Sequence, residues 1–131
     1  MSPALCTWSG SLIDWKQVRY FQREEFGRAG DIEPDPGLVM LLDNARDFAG
    51  VPFVLNSGIR TEQRNTEVGG SPNSAHLTGH AVDIRARSSF ERFAIAQALM
   101  TCGARRIGIG STFVHVDTDE SKPQDLIWLY T

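Results

Sequence analysis

A chain of 131 residues, 41% hydrophobic and 22% charged, has the composition of a globular protein and the length of one domain spanning residues 1–131. Folding at this size buries roughly two thirds of the unfolded chain's surface, so the fold itself requires neither a metal nor a disulfide. A net charge of −3 argues against nucleic-acid binding, which calls for a basic excess or stripe, unless Arg60, Arg64, Arg85, Arg87, Arg105 and Arg106 gather on one surface.

No apolar run approaches the roughly 20 residues that span a bilayer, so no membrane span is expected. The first ten residues, MSPALCTWSG, lack a basic segment followed by an apolar core, and no signal peptide is expected there. Cys6 and Cys102 are far apart and in no metal-ligand spacing. They read either as two reduced, partly buried thiols or as a disulfide tethering the N-terminal segment.

The first thirty residues scatter Trp8, Trp15, Tyr20, Phe21 and Phe26 among polar residues, a mix suited to short helices or turns wrapping a core. QREEF (22–26) reads as one helical turn. In DIEPDPG, Asp35 can cap a helix and Pro36 suits its first position. Residues 37–49 then carry Leu38, Leu41, Leu42, Ala45 and Phe48 at helical spacing, and Gly50 stops the helix. Pro52-Phe53-Val54-Leu55 reads as a short buried strand. Thr61 opens a second capping signal for a short helix over 62–67, followed by the turn-rich GGSPNS (69–74). Residues 80–85 alternate as a strand, with Ala81, Asp83 and Arg85 on one face and His80, Val82 and Ile84 on the other. Ser88 or Ser89 caps a helix running to Cys102 and ended by Gly103; residues 105–109 and 112–117 read as two more strands, and the tail ends in the apolar LIWLY. Helices flanking a few strands predict an α+β domain with a small, mainly antiparallel sheet.

All three histidines lie in the second half: His76, His80 and His115. A catalytic zinc site needs three protein ligands converging from separate segments and one open position. His76 on a loop, Asp83 on the strand it enters and His115 on a later strand could converge, with the turn at Gly79 bringing the first two together. His115 and Asp117 share a strand face, and His80 points away from Asp83. A lone histidine is most often a surface or satisfied core residue, and spacing by itself supports the metal only weakly.

The motifs carry more. SGIRT (57–61), RNTEVGGSPNSAHLTGHAVDI (64–84) and FVHVD (113–117) resemble the zinc D-alanyl-D-alanine carboxypeptidase family, and RYFQREEF looks like that family's opening segment. The family shares its metal-site architecture with vancomycin-resistance D,D-dipeptidases, phage L-alanyl-D-glutamate endopeptidases and the Hedgehog signalling domain. Its pattern is Ser-Gly-aromatic-Arg-Thr, then Ser-x-His-x-x-Gly-x-Ala-x-Asp, then His-x-Asp; here Ile59 stands where an aromatic is usual. The resemblance implies zinc bound by His76, Asp83 and His115. It also implies a substrate-orienting Arg60, and a Ser74 that contacts substrate or fixes the loop.

Some members place a catalytic Asp or Glu three residues before the last histidine, where this chain has Thr112, which cannot act as a base at neutral pH. Asp117 is then the nearest carboxylate, either as general base or as the group that orients a ligand imidazole. Glu67, Asp119 and Glu120 are weaker candidates. The implied activity is hydrolysis of a peptidoglycan stem or cross-link peptide by a monomer, as carboxypeptidase or endopeptidase. The enzyme would be held in the cytoplasm until release, as a phage lysis enzyme is, and would act in the periplasm or cell wall. A non-catalytic zinc-containing binding module of the same fold is the alternative.

Overall fold

Five strands form one sheet in the order β1-β2-β4-β3-β5. They are β1 (Leu55–Ser57), β2 (Ala81–Arg85), β3 (Arg106–Ile109), β4 (Phe113–Asp117) and β5 (Leu126–Leu129). The structure, a computed structural model, describes residues 12–130. Three helices accompany the sheet: α1 (Pro36–Ala49), α2 (Glu62–Glu67) and α3 (Ser89–Thr101). The fold is therefore α+β, as the spacing of apolar residues predicts. Cys6 and Trp8 lie outside the described residues, and with Cys6 the question of a disulfide; Cys102 is buried in the core.

Local signals set the helix starts. The Asp35 carboxylate accepts the Leu38 amide at 3.1 Å, and Pro36 fills the first turn of α1. Thr61 caps α2 and Ser88 caps α3, each accepting the amide three residues on. Leu38, Leu41, Leu42 and Ala45 of α1 are buried, together with Ile95, Ala98 and Leu99 of α3. These join Val82, Ile84, Ile107, Val114 and Val116 from the sheet in one core. Among the described residues no helix is long and apolar enough to cross a membrane.

The N-terminal aromatics wrap this core. Phe21 and Phe26 are buried, and Trp15 packs against Phe26. Asp43, fully buried on α1, accepts the amides of Arg19 and Tyr20 at 3.1 and 2.9 Å and pairs with the Arg19 guanidinium at 3.0 Å. A buried carboxylate requires such partners, and these pin residues 19–20 to the helix. The Phe26 carbonyl then accepts the Ile59 amide at 2.7 Å, seating the opening segment beside SGIRT.

The structure departs from the sequence-based expectation in three places. Phe48 sits in the last turn of α1 and is 52% exposed; its helical spacing continues where the helix has run past the residues it packs against. The strand expected at 52–55 begins at Leu55, with Phe53 buried ahead of it and Val54 exposed. Short apolar runs locate burial better than they locate hydrogen-bonded pairing. The LIWLY tail forms β5, which joins the sheet parallel to β3, whereas the other pairings are antiparallel. An edge strand whose partner is separated from it by β4 and a loop leaves no hairpin signal.

Candidate active site

The sheet has two faces because side chains alternate along each strand. Val82, Ile84, Val114 and Val116 point toward the helices, so Asp83, His115 and Asp117 point the other way. Register places Asp83 opposite His115, His115 opposite Gly108, and Gly108 beside Trp128, with Ser57 opposite Asp83 on β1. One row of residues thus crosses all five strands on the open face.

His76 reaches this row from a 3-10 turn at Ala75–Thr78. Ser74 caps the turn, its hydroxyl oxygen accepting the His76 amide at 3.2 Å. Gly79 closes it with φ +79°, a conformation that favours glycine. The His76 Nδ1–H donates to the Gly58 carbonyl at 2.8 Å, because a carbonyl can only accept. That bond sets the tautomer and leaves the Nε2 lone pair facing Asp83 Oδ1 at 3.4 Å.

His115 contacts a carboxylate on each side. Its Nδ1 lies 2.9 Å from Asp83 Oδ1 and its Nε2 lies 2.8 Å from Asp117 Oδ2. Asp117 is buried, and its Oδ1 also accepts the Arg106 Nε–H at 2.7 Å and the Asp119 amide at 3.2 Å. Both Asp117 oxygens are therefore occupied. Burial alone would raise the Asp83 and Asp117 carboxyls, but His115 and His76 hold Asp83 far below the ordinary range, and His115 with Arg106 depresses Asp117. Burial works to lower the His115 imidazole, yet the carboxylates flanking it, Asp117 and Asp83, raise it overall.

With His115 Nε2–H donating to Asp117, its Nδ1 lone pair would face Asp83 Oδ1, which His76 Nε2 also faces. Three electron-pair donors converging without a cation repel, so the cluster calls for either a shared proton or a metal ion. These donor atoms lie within 4.8 Å of one another. Tetrahedral zinc, with ligands about 2.0–2.1 Å away, sets neighbouring donors about 3.3 Å apart. The 3.4 and 2.9 Å separations from Asp83 to the two histidines lie near that value and the third pair lies within 4.8 Å, so two imidazoles and a carboxylate suit zinc in chemistry and stand close to its spacing.

Arg60 stands beside the donors. Its Nη2 lies 3.3 Å from Asp83 Oδ2, its Nε donates to Ser57 Oγ at 3.0 Å and its Nη1 to Asn65 Oδ1 at 3.3 Å. Ser74, Arg60 and the three donors all line one pocket of about 520 Å³. Thr112 lies in the exposed turn between β3 and β4, outside that lining. His80 bonds Thr78 and stands 3.9 Å from Asp35, away from the donors. Glu67 pairs with Arg64 on the surface, Asp119 with Lys122, and Glu120 is exposed. Arg60, Arg64, Arg87, Arg105 and Arg106 each pair with a carboxylate.

Four residues of the site escaped the motif reading. Asn65 is buried and ties Arg60 to the 69–74 loop through Ser71. Arg106 anchors Asp117. Trp128 and Tyr130 line the pocket from β5 and the residue following it. Arg106 alone left a usable trace, as it alternates with Gly108 on a strand facing the His115 side. The tail aromatics left none until β5 was placed.

A search among curated proteins finds no match. The family model described as Peptidase M15 matches residues 20–117, a stretch that runs from the opening aromatic segment through Arg60 and all three donors to Asp117. Most of the chain matches a family of zinc-dependent peptidases over a stretch holding a convergent His-Asp-His donor set, and the chain belongs to the Peptidase M15 family.

Proposed function

We propose that this protein hydrolyses peptidoglycan stem or cross-link peptides as a zinc-dependent D,D-carboxypeptidase or endopeptidase. The observation that carries this reading is the convergence of His76 Nε2, Asp83 Oδ1 and His115 Nδ1 on one point of an open pocket. When bound there, zinc would supply Lewis-acid activation of a water molecule and of the scissile carbonyl.

The chain's own residues supply the rest. The Gly58 carbonyl and Asp117 fix the two imidazole tautomers, so each ring presents one lone pair to the same place. Arg60, held by Ser57 and Asn65, has a planar guanidinium suited to a peptide carboxylate or carbonyl oxygen. Ser74 holds the turn that carries His76. For Asp117, its occupied oxygens support the orienting role rather than the general-base role. Hydrolysis forms a bond from the water oxygen to the carbonyl carbon, breaks the C–N bond and passes a proton to the leaving amine.

Digestion of purified sacculi with the zinc-loaded protein, read by mass spectrometry of the released muropeptides, tests the activity and identifies the bond. Loss of a terminal residue marks a carboxypeptidase; separated cross-links mark an endopeptidase. A protein that holds one zinc yet leaves the sacculi intact would be the non-catalytic binding module instead, a reading favoured by Thr112 and by the occupied Asp117. A cytoplasmic store released to the cell wall, as in phage lysis, belongs to the hydrolase reading, as does action as a monomer by a single domain over residues 1–131. Sedimentation of the zinc-loaded chain checks the monomer.

A further inference from the structure

The family match ends at Asp117, but the pocket does not. Strand β5 lies at the sheet edge, and on the open face it presents Trp128, followed by Tyr130. Between these residues and the donors stands β3, whose residue in the His115 row is Gly108. A Cβ at Gly108 would clash with the edge of the Tyr130 ring and lie 2.7 Å from the Trp128 indole nitrogen. Glycine therefore leaves the room in which both rings lie over β3 beside the donors. Their centroids lie 5.5 Å (Trp128) and 6.1 Å (Tyr130) from that of His115. Phe113 backs Tyr130 at 5.1 Å, and the Arg106 guanidinium stacks on Trp128 at 4.9 Å.

These rings are braced by Phe113 and Arg106, and both line the pocket, with Tyr130 45% exposed overall. An apolar plane kept in water beside a polar donor set gains when a ligand covers it. The pocket lining also includes the polar Arg60, Ser71, Ser74 and Lys122 beside Val68 and Ala75. Lys122 donates to the Asn73 carbonyl at 2.7 Å and so ties the 118–125 segment to the 69–74 loop.

We propose that Trp128 and Tyr130 form an aromatic substrate subsite, in which the apolar side chain of a peptide residue next to the scissile bond packs on the two rings while its polar groups face Arg60. The inference rests on the peptidase reading and deepens it. The two rings are specificity-determining residues contributed by a strand that the family motifs do not reach.

The test uses the full-length chain and a synthetic stem pentapeptide without sugar, so that stacking of a glycan on the rings cannot contribute. Binding is read by calorimetric titration of the peptide into the metal-free protein, and turnover as KM and kcat with zinc. Tyr130→Ala and Trp128→Ala are each expected to raise Kd and KM about tenfold, the loss of one well-packed contact. The zinc content should stay at one ion per chain and kcat should change far less. Tyr130→Phe, which keeps the ring, should restore Kd and KM to within about twofold. If an alanine variant misfolds by near-ultraviolet circular dichroism, Gly108→Ala, which displaces both rings, should give the same rise in Kd. Wild-type cleavage with Kd and KM unchanged in all of these variants overturns the subsite and leaves the peptidase reading standing. Neither binding nor cleavage by the wild type overturns the peptidase reading, and the subsite with it.

Discussion

The two faces of the sheet are made from the same strands and obey opposite rules. On the helix side, Val82, Ile84, Val114 and Val116 are fully buried among α1 and α3, and each is interchangeable in kind with its neighbours. On the open side, Asp83, His115 and Asp117 form a chain of charged contacts in which every atom has an assigned partner. Apolar packing tolerates swaps of similar volume. A buried polar network does not, because each lost partner leaves an unsatisfied group. The helix side therefore holds the fold together, and the open side carries a buried polar cluster that calls for a shared proton or a metal ion.

The comparison breaks most sharply at the ligands. His76→Ala or His115→Ala should reduce peptidoglycan hydrolysis to background and zinc to a small fraction of one ion per chain, with the far-ultraviolet circular dichroism unchanged; metal analysis and turbidity clearing of sacculi check this. A variant that keeps both zinc and activity would show that the donor set is wrongly drawn. On the opposite face, Ile84→Ala should cost about 2–5 kcal/mol in denaturant unfolding, with or without zinc, while leaving the stoichiometry at one ion.

Asp117→Asn sharpens the boundary between structure and chemistry. An orienting role predicts a zinc affinity lowered about 10–100-fold, measured by chelator competition, with turnover returning at saturating zinc. Turnover lost at full zinc occupancy would instead make Asp117 the base.

The pH dependence of the metal-free chain follows from the same cluster. The raised His115 gives stability that is complete below the unfolded value of about 6.5 and lost as pH rises through its higher folded value. The depressed Asp83 and Asp117 give stability present above about 3.9 and lost as pH falls through their lower folded values. Thermal melts of the metal-free protein should accordingly be highest between about pH 4 and 6.5, and zinc should abolish the decline on the alkaline side. The smallest effect belongs to the helix side: Ser88→Ala removes a cap and should cost about 1 kcal/mol in unfolding, with zinc binding untouched.

Much of this was written in local sequence. Asp35, Thr61 and Ser88 announce their helices because a cap needs only its own next three residues. The alternation of AVDIR and FVHVD separates core from site residues because a strand has period two. The SAHLTGHAVD and FVHVD motifs, through their family resemblance, imply the same three residues that the structure brings together.

What the sequence by itself determined is thus the α+β class, the helix starts and the apolar face of the sheet, and its motifs implied, by resemblance, the three residues that the fold brings together. Each of these depends on neighbours a few positions away or on a motif of fixed spacing. Tertiary structure alone decided which nitrogen of each histidine faces Asp83, since Gly58 and Asp117 set the tautomers from other segments. It alone brought Arg106, on a different strand, to Oδ1 of Asp117, whose Oδ2 already faces His115. It also carried Trp128 and Tyr130 to the pocket by a parallel edge pairing across Gly108, and a contact made by register between distant strands has no counterpart in linear spacing.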